Sequence, residues 1–211
     1  MENESELETT YCDFIDPTPG AHCTCDMCGE TLIAKCGQIN VWHWSHIGGT
    51  DCDPWHEHET PWHRRLKKLA LEAFSNAKPE HTIRNEYGVC HRADIYLADS
   101  GHVLEFQHSP ISANEIYSRE CFYGNMVWIF DVNLAMNDFR FTTDDRETHH
   151  VFKWKHARRS LVYASKPIIL HCSAGSYDFF FLVKKHYRNF KHGWGYEFRT
   201  LRGAMEAAVK P

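Results

Sequence analysis

The first 60 residues contain a single basic side chain, Lys35, against twelve carboxylates, and no apolar run anywhere exceeds a few residues. The second scarcity excludes a membrane-spanning helix, which needs roughly 20 consecutive apolar residues. The longest stretches are Met126 to Phe130, Pro167 to Leu170 and Phe179 to Val183. The first scarcity, with Glu2, Glu4, Glu6 and Glu8 at the start, is the reverse of a secretory leader's basic opening and apolar core. A soluble, cytoplasmic protein is expected. Proline and glycine are also few, 8 and 12 of 211 residues, and there is neither an internal repeat nor a low-complexity linker, which excludes a collagen-like chain or a linker protein. What is there, 43% hydrophobic and 14% aromatic residues, is too apolar for disorder and fits one or two small domains.

The net charge of -5 conceals a gradient: residues 1–60 carry -11, residues 61–152 carry -3 and residues 153–211 carry +9. An acidic head repels polyanions and can gather cations, whereas a basic tail attracts phosphate. A solvated basic face is the alternative for the tail, since charge alone does not establish nucleic-acid binding. Four segments follow: an acidic tail over 1–19, a metal-binding segment over 20–58, an α/β core over 59–150 and a basic, strand-rich extension over 151–211.

The nine cysteines are odd in number, and five lie between Cys12 and Cys36, which favours a metal site over a disulfide framework. Cys25 and Cys28 form a Cys-x2-Cys pair followed by Gly29, which permits the tight turn that aims two thiolates at one cation. Fourteen residues on comes His43-Trp44-Ser45-His46, so Cys25, Cys28, His43 and His46 supply the four N/S donors that tetrahedral zinc requires. Cys23, Cys36, Cys52, His56 and His58 leave room for a different fourth ligand. A segment this small builds little core of its own, so the zinc is expected to be structural.

Residues 59–131 alternate between helix and strand patterns. Thr60 can cap and Pro61 can open a helix in which Trp62, Leu66, Leu69, Ala70, Ala73 and Phe74 share a face, with Lys78-Pro79 closing the run. Three strands are expected over Thr82–Tyr87, His91–Leu97 and His102–His108, joined by hairpins at Gly88 and at Asp99-Ser100-Gly101. A second helix begins at Ser112, with a capping box to Glu115 and a staple from Ile111 to Ile116. Met126 to Phe130 then reads as a strand buried on both faces. The order αβββαβ predicts an α/β fold with a mixed sheet.

Alternation along the strands places Glu105 and Gln107 on one face and Leu104 and Phe106 on the other, while Asp94 stands opposite Ala93, Ile95 and Leu97. If these strands pair through the turn at 99–101, Asp94 and Glu105 converge within reach of one cation. Carboxylates amid apolar neighbours are costly without a partner, and either a metal ion or Arg84 or Arg92 can serve.

These residues resemble the competence protein CoiA-like family. The resemblance rests on Glu59-x3-His63-x3-Lys67, Glu86 ahead of Arg92-Ala93-Asp94-Ile95, the run Glu105-Phe106-Gln107-His108-Ser109-Pro110-Ile111-Ser112, and then Arg119, Tyr123 and Trp128-Ile129. Three residues after Lys67, where the family pattern has leucine, this chain has Ala70. The family's nuclease domain has the restriction-endonuclease-like αβββαβ core, and its N-terminal piece is zinc-ribbon-like. The resemblance implies metal-dependent hydrolysis of DNA phosphodiesters, with Asp94, Glu105 and the carbonyl of Phe106 holding Mg2+ or Mn2+; Glu59 or Glu86 is expected as an outer ligand. The wider restriction-endonuclease-like superfamily usually has a lysine where this chain has Gln107; a glutamine can orient water but carries no charge, so Lys67 or His63 from the first helix is expected to take over that role. The alternative is a non-catalytic, zinc-containing DNA-binding accessory with a degenerate nuclease fold.

The basic extension is the expected DNA track. Lys153, Lys155, Arg158, Arg159, Lys184, Lys185, Arg188 and Lys191 are interleaved with Trp154, Tyr163, Tyr187, Phe190 and Trp194, combining phosphate contacts with stacking surfaces. Phe179 to Val183 reads instead as a core strand.

Overall fold

A computed structural model describes residues 16–38, 42–49, 52–55, 59–132, 139–143, 149–174 and 177–210. The acidic tail through residue 15, together with His56 and His58, lies outside the described residues. The chain divides into two compact units, residues 1–56 with 80–92, and residues 57–79 with 93–211. The α/β core and the basic extension therefore fold as one unit, while residues 80–92 go with the metal-binding segment.

In the smaller unit, β1 (His22–Thr24), β2 (Thr31–Lys35) and β3 (His43–His46) form an antiparallel sheet in that order. Among the described residues its core is Cys23, Cys25, Met27 and Leu32, flanked by Trp44 and Cys90. Polar contacts add to it. The Asp53 carboxylate meets His91 Nδ1 at 2.8 Å and accepts from the Arg92 N–H at 2.8 Å, and Trp55 stacks on the His91 ring with centroids 3.3 Å apart. Cys23 is disulfide-bonded, an exception to the expectation of reduced thiols; Cys25, Cys28, Cys36, Cys52 and Cys90 are free.

The larger unit begins with α1 (Pro61–Ala73). Thr60 caps it as expected, its hydroxyl accepting from the His63 N–H at 3.3 Å, and the His63 ring returns the bond to the Thr60 N–H at 3.2 Å. The helix ends earlier than Lys78-Pro79, because β4 (Ala77–Arg84) already contains them. Proline is tolerated there because β4 is an edge strand, where a missing N–H need not break a ladder. β5 (Cys90–Leu97), β6 (His102–Gln107), α2 (Ala113–Tyr123) and β7 (Met126–Asp131) complete the expected αβββαβ order. The Ser112 hydroxyl accepts from the Glu115 N–H at 3.1 Å, but the Glu115 carboxylate turns to Arg119 Nη2, 2.5 Å away.

The extension adds β8 (Phe139–Thr143), β9 (His150–Trp154), β10 (Ile168–Ala174), β11 (Tyr177–Tyr187) and β12 (His192–Phe198), followed by α3 (Leu201–Ala208). All join one mixed sheet of order β4-β5-β6-β7-β10-β11-β12-β9-β8. β7 runs parallel to both β6 and β10 and is buried along its whole length. Leu66 and Ala70 of α1 and Leu201, Ala204 and Met205 of α3 share a core with Leu104, Phe106, Ile129, Phe180 and Leu182. Each large side chain buried there contributes about 1.5–3 kcal/mol. Phe180 to Leu182 are core, as expected.

Glu120, buried in α2, accepts from Trp128 Nε1 (3.0 Å), from the Ser165 and Lys166 N–H groups and from Ser165 Oγ (2.6 Å). Glu120→Ala strands these donors in a dry site and is expected to destabilise the protein by about 3 kcal/mol, read as a shift in the urea midpoint at unchanged slope. A midpoint equal to wild type would show that water replaces the carboxylate there.

Candidate active site

β5 is buried on alternate residues, with Ala93, Ile95 and Leu97 inward and Asp94 on the other face. Antiparallel pairing sets Ile95 against Leu104, which brings Asp94 and Glu105, the next residues along each strand, beside one another. The two are interlocked: Asp94 Oδ2 accepts from the Phe106 N–H at 2.8 Å, and Glu105 Oε1 from the Asp94 N–H at 3.4 Å. Glu105 is 3% exposed. Burial, and then the neighbouring Asp94 charge, push its carboxyl up to about 8 despite Arg119 Nη1 at 2.7 Å from Oε2. Two facing carboxylates in a poorly solvated place are the oxygen donor set that a hard divalent cation accepts.

The cations that answer these carboxylates are Lys67 and Arg119. Arg84 instead donates to the Gly88 carbonyl (2.9 Å), and Arg92 pairs with Asp26 (2.6 Å). Lys67 Nζ, buried on α1, is 3.4 Å from Asp94 Oδ1 and 3.2 Å from Glu59 Oε1. Glu59 thus reaches this cluster through Lys67. Glu86 sits in the exposed β4–β5 turn of the smaller unit.

His63 does something different. Its Nδ1 accepts from the Thr60 N–H, which leaves the proton on Nε2, 3.1 Å from the Phe106 carbonyl oxygen. It therefore fixes that carbonyl. Gln107 is buried on the same face as Glu105, but its Nε2 donates to the Ser109 carbonyl at 3.0 Å, so the amide braces the bend after β6. Arg158 holds the same bend by donating to the carbonyls of Gln107, His108, Ser109 and Asp131. The orienting roles of Arg119 and Arg158 are absent from the sequence expectation. The i,i+4 spacing of Glu115 and Arg119 is a signal for the first; nothing local marks the second.

A separate polar chain anchors α1. Trp62 Nε1 donates to His171 Nδ1 (2.9 Å), which fixes the His171 proton on Nε2 beside Asp178 Oδ1 (3.0 Å); Asp178 Oδ2 takes Arg65 Nη2 at 2.7 Å. Burial holds the His171 pKa below 6.5, although Asp178 and Asp131 pull it upward. The folded state then binds fewer protons than the unfolded one, so this stabilisation is complete above pH 6.5 and is lost as pH falls through that value toward the folded pKa. A His171→Asn protein is expected to lose less stability on acidification than wild type in urea titrations; parallel losses would remove His171 as the cause.

In the smaller unit, Cys25, Cys28, His46 and Cys52 bring their donor atoms within 4.8 Å of one another. Cys28 Sγ is 3.2 Å from His46 Nε2, and the Cys25 and Cys52 sulfurs are 3.7 Å apart. Gly29, at φ 76, closes the turn behind Cys28. Burial raises the Cys25 thiol, but backbone hydrogen bonds at Cys28 and Met27 outweigh it and hold the pKa low; burial and the Cys25 sulfur push Cys52 up to about 12. This Cys3His set can bind zinc. It corrects the expected ligand list: Cys52 takes the place of His43. His43 and His46 are three apart on β3, so alternation turns them to opposite faces, and among the described residues His46 is the histidine in the thiolate cluster.

Residues 59–190 match a family model, that of the competence protein CoiA, nuclease-like domain. No curated protein and no solved structure matches the chain.

Proposed function

The chain belongs to the family of competence protein CoiA nuclease-like domains, and on that premise we propose that it is a metal-dependent nuclease hydrolysing DNA phosphodiester bonds, in a DNA uptake, recombination or mobile-element context. The observation that carries this reading is the facing pair Asp94 and Glu105, interlocked across β5 and β6 and answered by Lys67. A pair kept only for folding is costly, because burial and the neighbouring Asp94 charge disfavour the ionised form of Glu105.

Asp94, Glu105 and the Phe106 carbonyl would hold Mg2+ or Mn2+. Such an ion, when bound, lowers the pKa of an attacking water and neutralises charge on the phosphorane. The chain's own residues do the rest. Arg119 fixes one oxygen of Glu105, and His63 Nε2–H fixes the Phe106 carbonyl. Lys67 places a fixed positive charge beside Asp94, the charge that Gln107 cannot provide. Zinc in the Cys25, Cys28, His46 and Cys52 set is structural in this reading, since four protein donors fill a tetrahedral ion and leave no open position.

The test is incubation of linear, circular and single-stranded DNA with Mg2+, Mn2+ or EDTA, beside an Asp94→Ala/Glu105→Ala protein. Cleavage that needs metal and vanishes in the double variant is expected. No cleavage by wild type under any of these conditions would favour a non-catalytic DNA-binding accessory, the reading that Gln107 in the lysine position keeps open.

A further inference from the structure

We propose that the open face of the four strands β8, β9, β12 and β11 is a binding platform for single-stranded DNA. The proposal rests on the reading that nucleic acid is the partner, but not on catalysis. Cross-strand register assembles two rows on this face. One runs Arg140, Lys153, His192 and Tyr187; the next runs Val151, Trp194 and Lys185. Directly paired residues share a face, so each row lies on the same side, with neighbouring strands about 4.8 Å apart.

Arg140, Val151, Lys153, Lys185 and Tyr187 are exposed, and Trp194 and His192 half-buried. None of these seven positions is acidic. Lys185 Nζ lies 5.3 Å from the Tyr187 ring centroid, so cation and aromatic are already side by side. The opposite face of the same strands is closed by Phe139, Phe152, Phe181 and Phe190, with ring centroids within 6.4 Å of a neighbour. Gly193 makes that closure possible: a Cβ there would fall 2.5 Å from the Phe152 ring and 2.2 Å from the Lys185 carbonyl oxygen. The buried aromatics thus account for the inner face; on the outer one Tyr187 is exposed, and Trp194 is half-buried beside the rings of His149 and Tyr196, 5.0 and 6.0 Å away.

The chemistry selects the ligand. Three cations, Arg140 and Lys153 on one side and Lys185 on the other of His192 and Trp194, can meet phosphates while Tyr187 and Trp194 offer rings to bare base faces, and stacking accepts any base. A duplex keeps its base faces in its own stack, so it can use the cations but not Tyr187 and Trp194.

Binding is measured by fluorescence anisotropy of a labelled oligothymidine of about 20 nucleotides, without added Mg2+ or Mn2+ and without chelator, so that cleavage plays no part and the zinc set stays loaded. Wild type is expected to bind it more tightly than a duplex of equal length. Trp194→Ala/Tyr187→Ala weakens binding about tenfold or more with the salt dependence kept, and Trp194→Phe restores most of it. Lys153→Glu/Lys185→Glu weakens binding and flattens the salt dependence. Unfolding midpoints of all variants are read alongside, and only variants with a wild-type midpoint are scored. The proposal is overturned if wild type shows no affinity, if the duplex binds as well, if scored variants bind as wild type does, or if light scattering shows that Trp194→Phe or the charge pair changes the oligomeric state, which would make the face a contact between copies of this chain. Assaying Asp94→Ala/Glu105→Ala in parallel separates the outcomes: it is expected to bind but not cut, so the nuclease reading and the platform fail in different measurements.

Discussion

A Lys67→Ala protein is expected to cleave DNA about 10²–10³-fold more slowly than wild type at saturating Mg2+, with its folded state retained. The reason lies in two side chains. Lys67 Nζ is 3.4 Å from Asp94 and buried, so its charge acts in a medium that screens it weakly. Gln107, which shares its face with Glu105, is neutral and engaged with the Ser109 carbonyl. No other described lysine pairs with Asp94. Lys67→Arg retains the charge but not the compact head group and is expected to fall between the two. His63→Ala, which removes the clamp on the Phe106 carbonyl, should cost less in rate than Lys67→Ala and more in stability. Single-turnover cleavage and urea unfolding of the three variants separate these effects. A Lys67→Ala protein that cuts at the wild-type rate removes Lys67 from the mechanism.

Cys52→Ser is expected to lose zinc and to melt the smaller unit, whereas His43→Ala keeps both. Four buried side chains at about 1.5–3 kcal/mol each cannot offset a backbone ordering cost of about 1–2 kcal/mol per residue over three strands and their turns. A structural zinc ion contributes on the order of 10 kcal/mol, enough to reverse that balance. Removing one thiolate opens the tetrahedron and leaves Cys25, Cys28 and His46 crowded without their cation. Elemental analysis, together with the change in hydrogen exchange of β1 to β3 on chelation, reads the effect. Zinc retained by Cys52→Ser but lost by His43→Ala would restore the sequence-based ligand set.

The contrast between the two histidines shows what a linear pattern conveys. Spacing alone made His43 and His46 a pair, like Cys25 and Cys28, because a turn can bring such neighbours together. Within a strand the same spacing separates them, and Cys52 arrives from a distance that no local motif measures. Lys67 is a comparable case: its place on α1 was legible from helical periodicity, but its contact with Asp94 depends on how α1 packs across β5 and β6.

The order of helices and strands, the caps at Thr60 and Ser112, the buried β7 and the shared face of Glu105 and Gln107 were all determined by the sequence itself, because each follows from near-neighbour periodicity and backbone stereochemistry. Tertiary structure alone decided that Asp94 faces Glu105 with Lys67 and Arg119 in attendance, that Cys52 completes the thiolate cluster, and that the basic extension continues the same sheet through β10. Those are contacts between residues far apart in the chain, and they are fixed only when strand register and core packing close around them.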